Sequence, residues 1–339
     1  HMSRGARRRQ RQQPRTLQVF LIIVLVLLTV CVLVKAFFLK APEQKAAELP
    51  AQPAASDTDD SQQSREEQAA QEALRSHLER KGGFYTILLS GLDDDNGGSD
   101  TNILVAVDTV NGYVYGVSIP RDSKAIIDGK ARKINYAYNK GGTELLADTV
   151  SEQLGIPVDY TVSVNLKGFT ALVDAIGGVD FDVPINMDYD DPIQNLSIHF
   201  KKGVQHLSGA DALRVVRFRH NNDGSGYGSE DLGRMATQQK FLKAVAKKML
   251  SAGNILTKID DYAKIFNQYV DTNLTVGNLA WLGTEVLKMG VDKIDFSTLP
   301  NAWKYPYIYL DPTETLTLVN TYLNPYVEDR TADDLNIPG

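Results

Sequence analysis

Residues 19–34, VFLIIVLVLLTVCVLV, form an uninterrupted apolar or small run, which with its flanks to Leu39 is long enough to cross a hydrocarbon layer of about 30 Å. Arg4, Arg7, Arg8, Arg9, Arg11 and Arg15 precede it with no acid among them, and this bias puts the N-terminus in the cytoplasm. A cleaved signal peptide would carry an apolar region of about 7–15 residues and a small-x-small cleavage site. Nothing after Lys35 offers that site cleanly. The expectation is a retained single-pass anchor at the cell membrane: a basic cytoplasmic tail at 1–16, a transmembrane helix at 17–39, and the rest of the chain outside. His1 before Met2 reads as a cloning remnant.

From about 41 to 80 the chain is rich in Ala, Gln, Glu, Asp, Ser and Pro and almost lacks large apolar residues until Leu74 and Leu78. Such a segment cannot build a core and reads as an extracytoplasmic linker over 40–80, turning helical toward 65–80. Forty flexible residues span roughly 35 Å, which keeps the following domain near the membrane surface. That domain is expected at 81–325, with a C-terminal tail at 326–339. Its apolar patterns predict strands at 84–92, 101–108, 112–119, 159–165, 179–184, 291–298 and 305–310. Helices are predicted at 143–154, 167–176, 208–215, 229–251, 255–270, 275–289 and 312–323. The alternation implies an α/β (α+β) class, with a mixed central β-sheet flanked by helices on both faces.

Composition removes several function classes. The net charge is −6, and setting aside the six N-terminal arginines leaves 30 basic against 42 acidic residues, a net −12. Bulk electrostatics therefore does not hold this chain to nucleic acid or to an anionic polymer, and any phosphate binding must come from a local cluster. The one cysteine, Cys31, lies in the apolar run, so there is no disulfide framework, CxxC site or thiol nucleophile. The five histidines, at 1, 77, 199, 206 and 220, lack ligand spacing, and zinc is not expected. No GxxxxGK[ST] or GxGxxG occurs, so a phosphoanhydride must arrive within a substrate.

Two stretches then carry the chemistry: VSIPRDS at 117–123, and ALRVVRFRH at 212–220 followed by DLGRMATQQ at 231–239. In an extended segment Arg217 and Arg219 share a face with Val215 in line, and Val216 and Phe218 are opposite. Asp231, Arg234 and Gln238, at i, i+3 and i+7, share one face of a helix that starts near Ser229. Several guanidinium forks around one point, Arg121 among them, repel one another unless an anion sits between them, and phosphate is the natural ligand. Ordinary surface salt bridges are the plain alternative. Upstream, FYTILLSGLD (84–93) runs through DDNGGSD (94–100) into TNILVAVDTV (101–110), so Asp93 and Asp100 flank a short acidic loop between two strands. Mg²⁺ is typically held by one or two carboxylates with phosphates and water completing its shell. A solvated turn is the alternative.

These motifs, in the order GLD, GGSDTNILVAVD, VSIPRDS, KINYAY, VDYTVSVNLKGFTALVDAIGGVDFDVP, MDYDDP, GVQHLSGADALRVVRFRH and DLGRMATQQ, resemble the LytR-CpsA-Psr family of envelope phosphotransferases. The resemblance is strong over roughly 84–250 and looser to about 325. It implies transfer of an anionic glycopolymer, teichoic acid or a capsular or secondary wall polysaccharide, from a polyprenyl-pyrophosphate donor to a peptidoglycan acceptor, with Mg²⁺ on the pyrophosphate. By motif position, Asp93 and Asp100 fall on the family's metal-binding acids and Arg121 in its SIPRD motif. Arg217, Arg219, Asp231, Arg234 and Gln238 fall in its pyrophosphate-binding segment. Arg121, Arg217, Arg219, Asp231 and Arg234 are then the expected catalytic set.

The chain departs from the family in two places. Gly98 stands where an arginine is frequent before the second acid, and Thr237 where one is frequent before the glutamine. The glycine-rich HNNDGSGYGSED at 220–231 reads as a mobile lid. Asp231 or Asp122 is available as proton acceptor, the favoured role for Asp122 being an ion pair that orients Arg121. A polyprenyl-pyrophosphate binding module and a pyrophosphatase remain the alternative functions.

Overall fold

The computed structural model describes residues 39–45, 73–74, 77–93, 98–193, 195–227, 237, 240–241, 244–245, 248, 259–290 and 293–339. The N-terminal arginines, Cys31 and the predicted span up to residue 38 lie outside these. Among the described residues no helix is long and apolar enough to cross a membrane.

In chain order the elements begin with β1 (Phe84–Asp93), β2 (Gly98–Asp108), β3 (Tyr113–Ile119), β4 (Lys124–Ile127) and β5 (Lys130–Lys133). Then come α1 (Asn135–Leu154), β6 (Tyr160–Asn165), α2 (Leu166–Ala175), β7 (Val179–Val183), β8 (Met187–Asp191), β9 (Leu196–Phe200), β10 (Gly203–Leu207) and α3 (Gly209–Arg217). The chain closes with α4 (Ile259–Tyr269), β11 (Val270–Thr272), α5 (Val276–Met289), β12 (Ile294–Thr298), β13 (Asn301–Lys304), β14 (Tyr307–Leu310) and α6 (Pro312–Leu318). The six-stranded sheet runs β11-β6-β1-β2-β3-β12. β1, β2 and β3 form an antiparallel meander, while β6 joins β1, and β12 joins β3, in parallel.

Period-two alternation divides the strands between two cores. Ile87, Leu89, Ile103, Val105, Val162 and Val164 pack with α2, α3 and α5 on one face. Leu88, Leu104, Ala106, Val117 and Ile119 pack with α1 and the end of the chain around Val319 and Leu323 on the other. The mixed sheet with helices on both faces is therefore the observed architecture. α1 starts earlier than the predicted 143, because Gly141 and Gly142 (φ 66°) kink it and a first segment precedes the kink. Local polar groups set the helix starts. The Asn165 side chain accepts from Gly168 N at the head of α2, Ser208 from Asp211 N at α3, and Asp311 from Glu314 N at α6.

β4, β5, β8, β9, β10, β11 and β13 were not predicted. The β4–β5 turn is the Asp128–Gly129 pair, with φ of 53° and 68°, the mirror-image turn that an Asp-Gly dipeptide favours in a hairpin. β8 (MDYDD) carries few apolar residues, and besides its pairing with β9 it is held by the turn that follows α3.

Residues 40–45, at the start of the predicted linker, lie along the domain. Asn278 Nδ2 donates to Lys40 O (3.0 Å), Tyr160 Oη to Glu43 O (2.6 Å) and Gln44 Nε2 to Phe84 O (2.8 Å). Lys45 N donates to Asp159 Oδ1 (3.0 Å), and Arg80 bridges Lys45 O (2.9 Å) and Asp159 Oδ2 (2.8 Å). Arg80 thus ties the two ends of the linker to one fully buried carboxylate. The C-terminal segment packs here too: the guanidinium of Arg330, itself 4% exposed, lies 4.2 Å from the Tyr326 ring centroid, and Asp334 meets His77 at 2.9 Å.

α3 rests on α2 backbone to backbone. A Cβ at Gly209 would stand 2.1 Å from Thr170 O, and Gly209 N donates to Asp174 Oδ1 at 2.7 Å. Gly209→Ala is expected to push α3 off α2 and to cost about 1–3 kcal/mol by overpacking, read as a fall in denaturation midpoint. An unchanged midpoint would show that the contact is not tight.

Candidate functional site

The end of the sheet where β1 and β2 meet brings three of the expected residues together through backbone register. Asp93 pairs in register with Gly98, and Leu92 with Ser99, while Thr101 pairs with Gly91. Asp100 is the extra residue of a β-bulge, the device by which a strand re-aims one position without losing its pairing. On the other side of β2, Asn102 pairs with Ile119. β3 ends at that pair, and the chain then turns, Ser123 N donating to Pro120 O (2.9 Å), so Arg121 lies in the turn just past the end of β3. The backbone of Asp93 and Asp100 and the turn that carries Arg121 are therefore at the same end of the sheet, which is also the C-terminal end of the parallel pair β1 and β6. Open sheets bind ligands outside such carboxyl ends.

Arg121 is held by its surroundings. Its carbonyl accepts from Asn135 N (3.2 Å) at the start of α1, and its half-buried side chain places Nε 3.9 Å from Asp122 Oδ1. Lys133 Nζ is nearer to that oxygen, at 3.0 Å. Asp122 thus serves both cations, in keeping with a role as ion-pair partner of Arg121.

Arg217 and Arg219 come from the opposite core. The predicted helix 208–215 runs on to Arg217, so Arg217 is the last helical residue and only from Phe218 (φ −63°, ψ 140°) is the chain extended. The strand-like stretch expected from Val215 is corrected accordingly: helical hydrogen bonding persists while Val215 and Val216 stay buried. Val216 and Phe218 are buried (2% and 0% exposed) and Arg217 and Arg219 on either side of Phe218 are half-buried, while Val215, expected in line with the arginines, is buried in the core. Burial raises the Tyr189 phenol pKa, Asp191 adds to the rise and the Arg219 guanidinium opposes it.

The stretch at 220–231 was expected to be a mobile lid, and its described part, 220–227, is instead tied to β8. Asn221 Oδ1 accepts from Asp188 N and Asn222 Oδ1 from Asp190 N (2.6 Å each), while Asn222 N donates to Asp188 O (3.1 Å) and its Nδ2 to Asp190 O (3.0 Å). Two asparagines thus bind this turn as an extra partner of the strand. Asp231, Arg234 and Gln238 lie outside the described residues. Of the two departures from the family pattern, Thr237 is 3% exposed and faces the core. Gly98 sits on β2, where a Cβ would be 3.3 Å from Asn139 Oδ1 on α1.

One feature at this end was missed from the sequence. Ser163, Ser90 and Asn102 pair across β6, β1 and β2 as a single row, each no more than 2% exposed. Ser90 Oγ, Ser163 Oγ and Asn102 Nδ2 have no hydrogen-bond partner among the described residues. Asn102 Oδ1 accepts from Ser99 Oγ (2.7 Å), so this buried polar row braces the residue beside the Asp100 bulge. The signal available was a polar residue at an inward position of each strand.

The sequence model of the LytR_cpsA_psr family matches residues 50–323. The polyisoprenyl-teichoic acid–peptidoglycan teichoic acid transferase TagV of Bacillus subtilis (strain 168) is 37% identical over 202 residues, 57% of this chain and 50% of TagV. TagU of Bacillus cereus, named for the same transfer, is 37% identical over 195 residues, 56% of this chain and 60% of TagU. The matched region thus spans about half to three fifths of these curated relatives. The crystal structure of B. subtilis TagV superposes with a TM-score of 0.56 at 32% identity, covering 71% of this chain and 96% of that one.

Proposed function

The chain belongs to the LytR_cpsA_psr family, and from that membership we propose that it transfers an anionic glycopolymer from a polyprenyl-pyrophosphate carrier to peptidoglycan. The observation that supports the reading is that the backbone of Asp93 and Asp100 and the turn after β3 that carries Arg121 are at the same end of the sheet. Two carboxylate residues beside a guanidinium suit a pyrophosphate accompanied by a hard divalent cation. The relatives named as polyisoprenyl-teichoic acid transferases support this substrate class.

Asp93 and Asp100 are the residues that would hold Mg²⁺, and an all-oxygen donor set completed by phosphates suits that ion. When bound, the ion would supply charge neutralisation to the pyrophosphate. Arg121, Arg217 and Arg219, with Arg234 and Gln238 from the segment outside the described residues, grip the pyrophosphate oxygens. A hydroxyl of the wall acceptor attacks the phosphorus next to the glycan. The new P–O bond forms as the anhydride P–O bond breaks, polyprenyl phosphate leaves, and Asp231 takes the hydroxyl proton. Residues 17–39 anchor the chain in the cell membrane with the domain outside, at the face where the lipid-linked donor lies.

The test uses the full chain in lipid nanodiscs carrying a polyprenyl-pyrophosphoryl glycan, with peptidoglycan added and no ATP. Glycan is expected to move to the wall polymer, and excess chelator or Asp100→Ala is expected to abolish the movement with the fold intact. Activity undiminished by chelator would remove the metal from the mechanism. At about 0.8 kcal/mol per buried CH₂, even part of a prenyl chain outweighs the pyrophosphate contacts, so prenyl pyrophosphates should bind far more tightly than inorganic pyrophosphate. Equal affinity would rule out the lipid donor. Tight lipid binding with no transfer would favour a binding module, and release of phosphate to water a pyrophosphatase.

A further inference from the structure

The β4–β5 and β13–β14 hairpins form a joint surface next to the Arg121 turn. Ile308 N donates to Asp122 O (2.9 Å), Ser123 bridges to Ile308, and Tyr307 Oη donates to Ala131 O (3.2 Å). Two acid-free stretches supply it, GKARKINYAYNK at 129–140 and LPNAWKYPYIYL at 299–310, in a chain whose remainder beyond the N-terminal arginines is net −12. Within it Trp303 is 48% exposed, Tyr305 84% and Tyr136 37%. Large aromatic side chains left in water at this density mark a binding surface rather than a solvated face.

The cations among them are available. Lys133 and Lys140 are engaged by Asp122 and Asp128, whereas Lys130, Arg132 and Lys304 have no ion-pair partner among the described residues. They lie against rings instead: Arg132 is 5.2 Å from the Tyr136 centroid and Lys304 5.9 Å from that of Tyr309. Such a cation keeps its charge open to a further anion while its ring holds it in place. Flat rings offer stacking faces for the C–H side of a sugar or polyol, and interleaved cations attract phosphodiesters.

We propose that these two hairpins bind the phosphate-bearing glycan of the donor, a few units beyond its pyrophosphate, and so align it with Arg121. The inference rests on the functional reading above, since it assumes that the pyrophosphate sits at the sheet end. Continuity supports this: Asp122, adjacent to Arg121, is hydrogen-bonded through its backbone to β14. Charge complementarity supports it as well, because a polyanion approaching an acidic protein is admitted only where cations are unpaired.

The experiment measures binding of lipid-free poly(glycerol phosphate) teichoic acid to the full chain in neutral nanodiscs, with Trp303 fluorescence as the readout and a prenyl pyrophosphate lacking glycan as a separate arm. Two variants are compared, Trp303→Ala/Tyr305→Ala, followed by a tag-based assay, and Lys130→Ser/Arg132→Ser/Lys304→Ser. Each is expected to weaken polymer binding by about tenfold or more with unchanged prenyl pyrophosphate affinity and thermal midpoint. Polymer affinity unchanged in either variant overturns the proposal. So does an equal loss for sugar-free polyphosphate in the aromatic variant, which would indicate plain ion exchange, or a patch that binds anionic vesicles or soluble peptidoglycan fragments in preference to the polymer. If the wild type bound polymer through the patch but failed to bind prenyl pyrophosphate, the platform would stand and the transferase reading would fall. Binding of neither overturns both.

Discussion

Arg121→Lys, Arg217→Lys and Arg219→Lys are each expected to lower glycan transfer by a factor on the order of 10³, although every variant keeps its positive charge. An arginine that stabilises a phosphoryl transition state contributes roughly 10³–10⁵ in rate, and lysine replaces a planar fork of donors by a single hydrated point. Arg217 and Arg219 leave the buried layer on either side of Phe218, so the change does not reach the core. Single-turnover rates in the nanodisc assay, with circular dichroism to confirm the fold, provide the check. Three lysine variants within a few-fold of wild type would mean that these arginines are structural.

Asp159→Ala is expected to be the most destabilising single change away from the site, by about 3–5 kcal/mol, because removing one partner of a buried pair strands the other. The Asp159 side chain is 0% exposed and that of Arg80 10%. The carboxylate also accepts from Thr86 N (2.9 Å) and Lys45 N (3.0 Å), so its loss leaves several buried donors without an acceptor. Denaturant unfolding of the full chain should show the loss as a lowered midpoint, with residues 39–45 becoming accessible to protease. A change below about 1 kcal/mol would show that water or another acceptor replaces the carboxylate.

The two predictions draw on different layers of information. The arginines were legible as residues, since guanidinium groups spaced two apart among buried aliphatics are unusual in linear sequence. Their local structure was partly misjudged, because ALRVVRFRH satisfies a helix and a strand end equally well until packing decides. Asp159 carried no signal at all. Its partners are Lys45, 114 positions away, and Arg80, 79 away, and no local window contains them.

By itself the sequence determined the apolar periodicities that become β1, β2, β3, β6 and most helices, and the identity of the acids and arginines at issue. Those are properties of contiguous windows, where side-chain period and capping groups act within a turn or two. Only the tertiary structure decided that Asp100 occupies a bulge at the sheet end where Arg121 follows β3, that Ser90, Asn102 and Ser163 align into one buried row, and that residues 39–45 lie along the domain. Register and docking follow from pairings between distant segments. Their free energy appears only once the loops between them have closed, so no propensity of either partner alone encodes them.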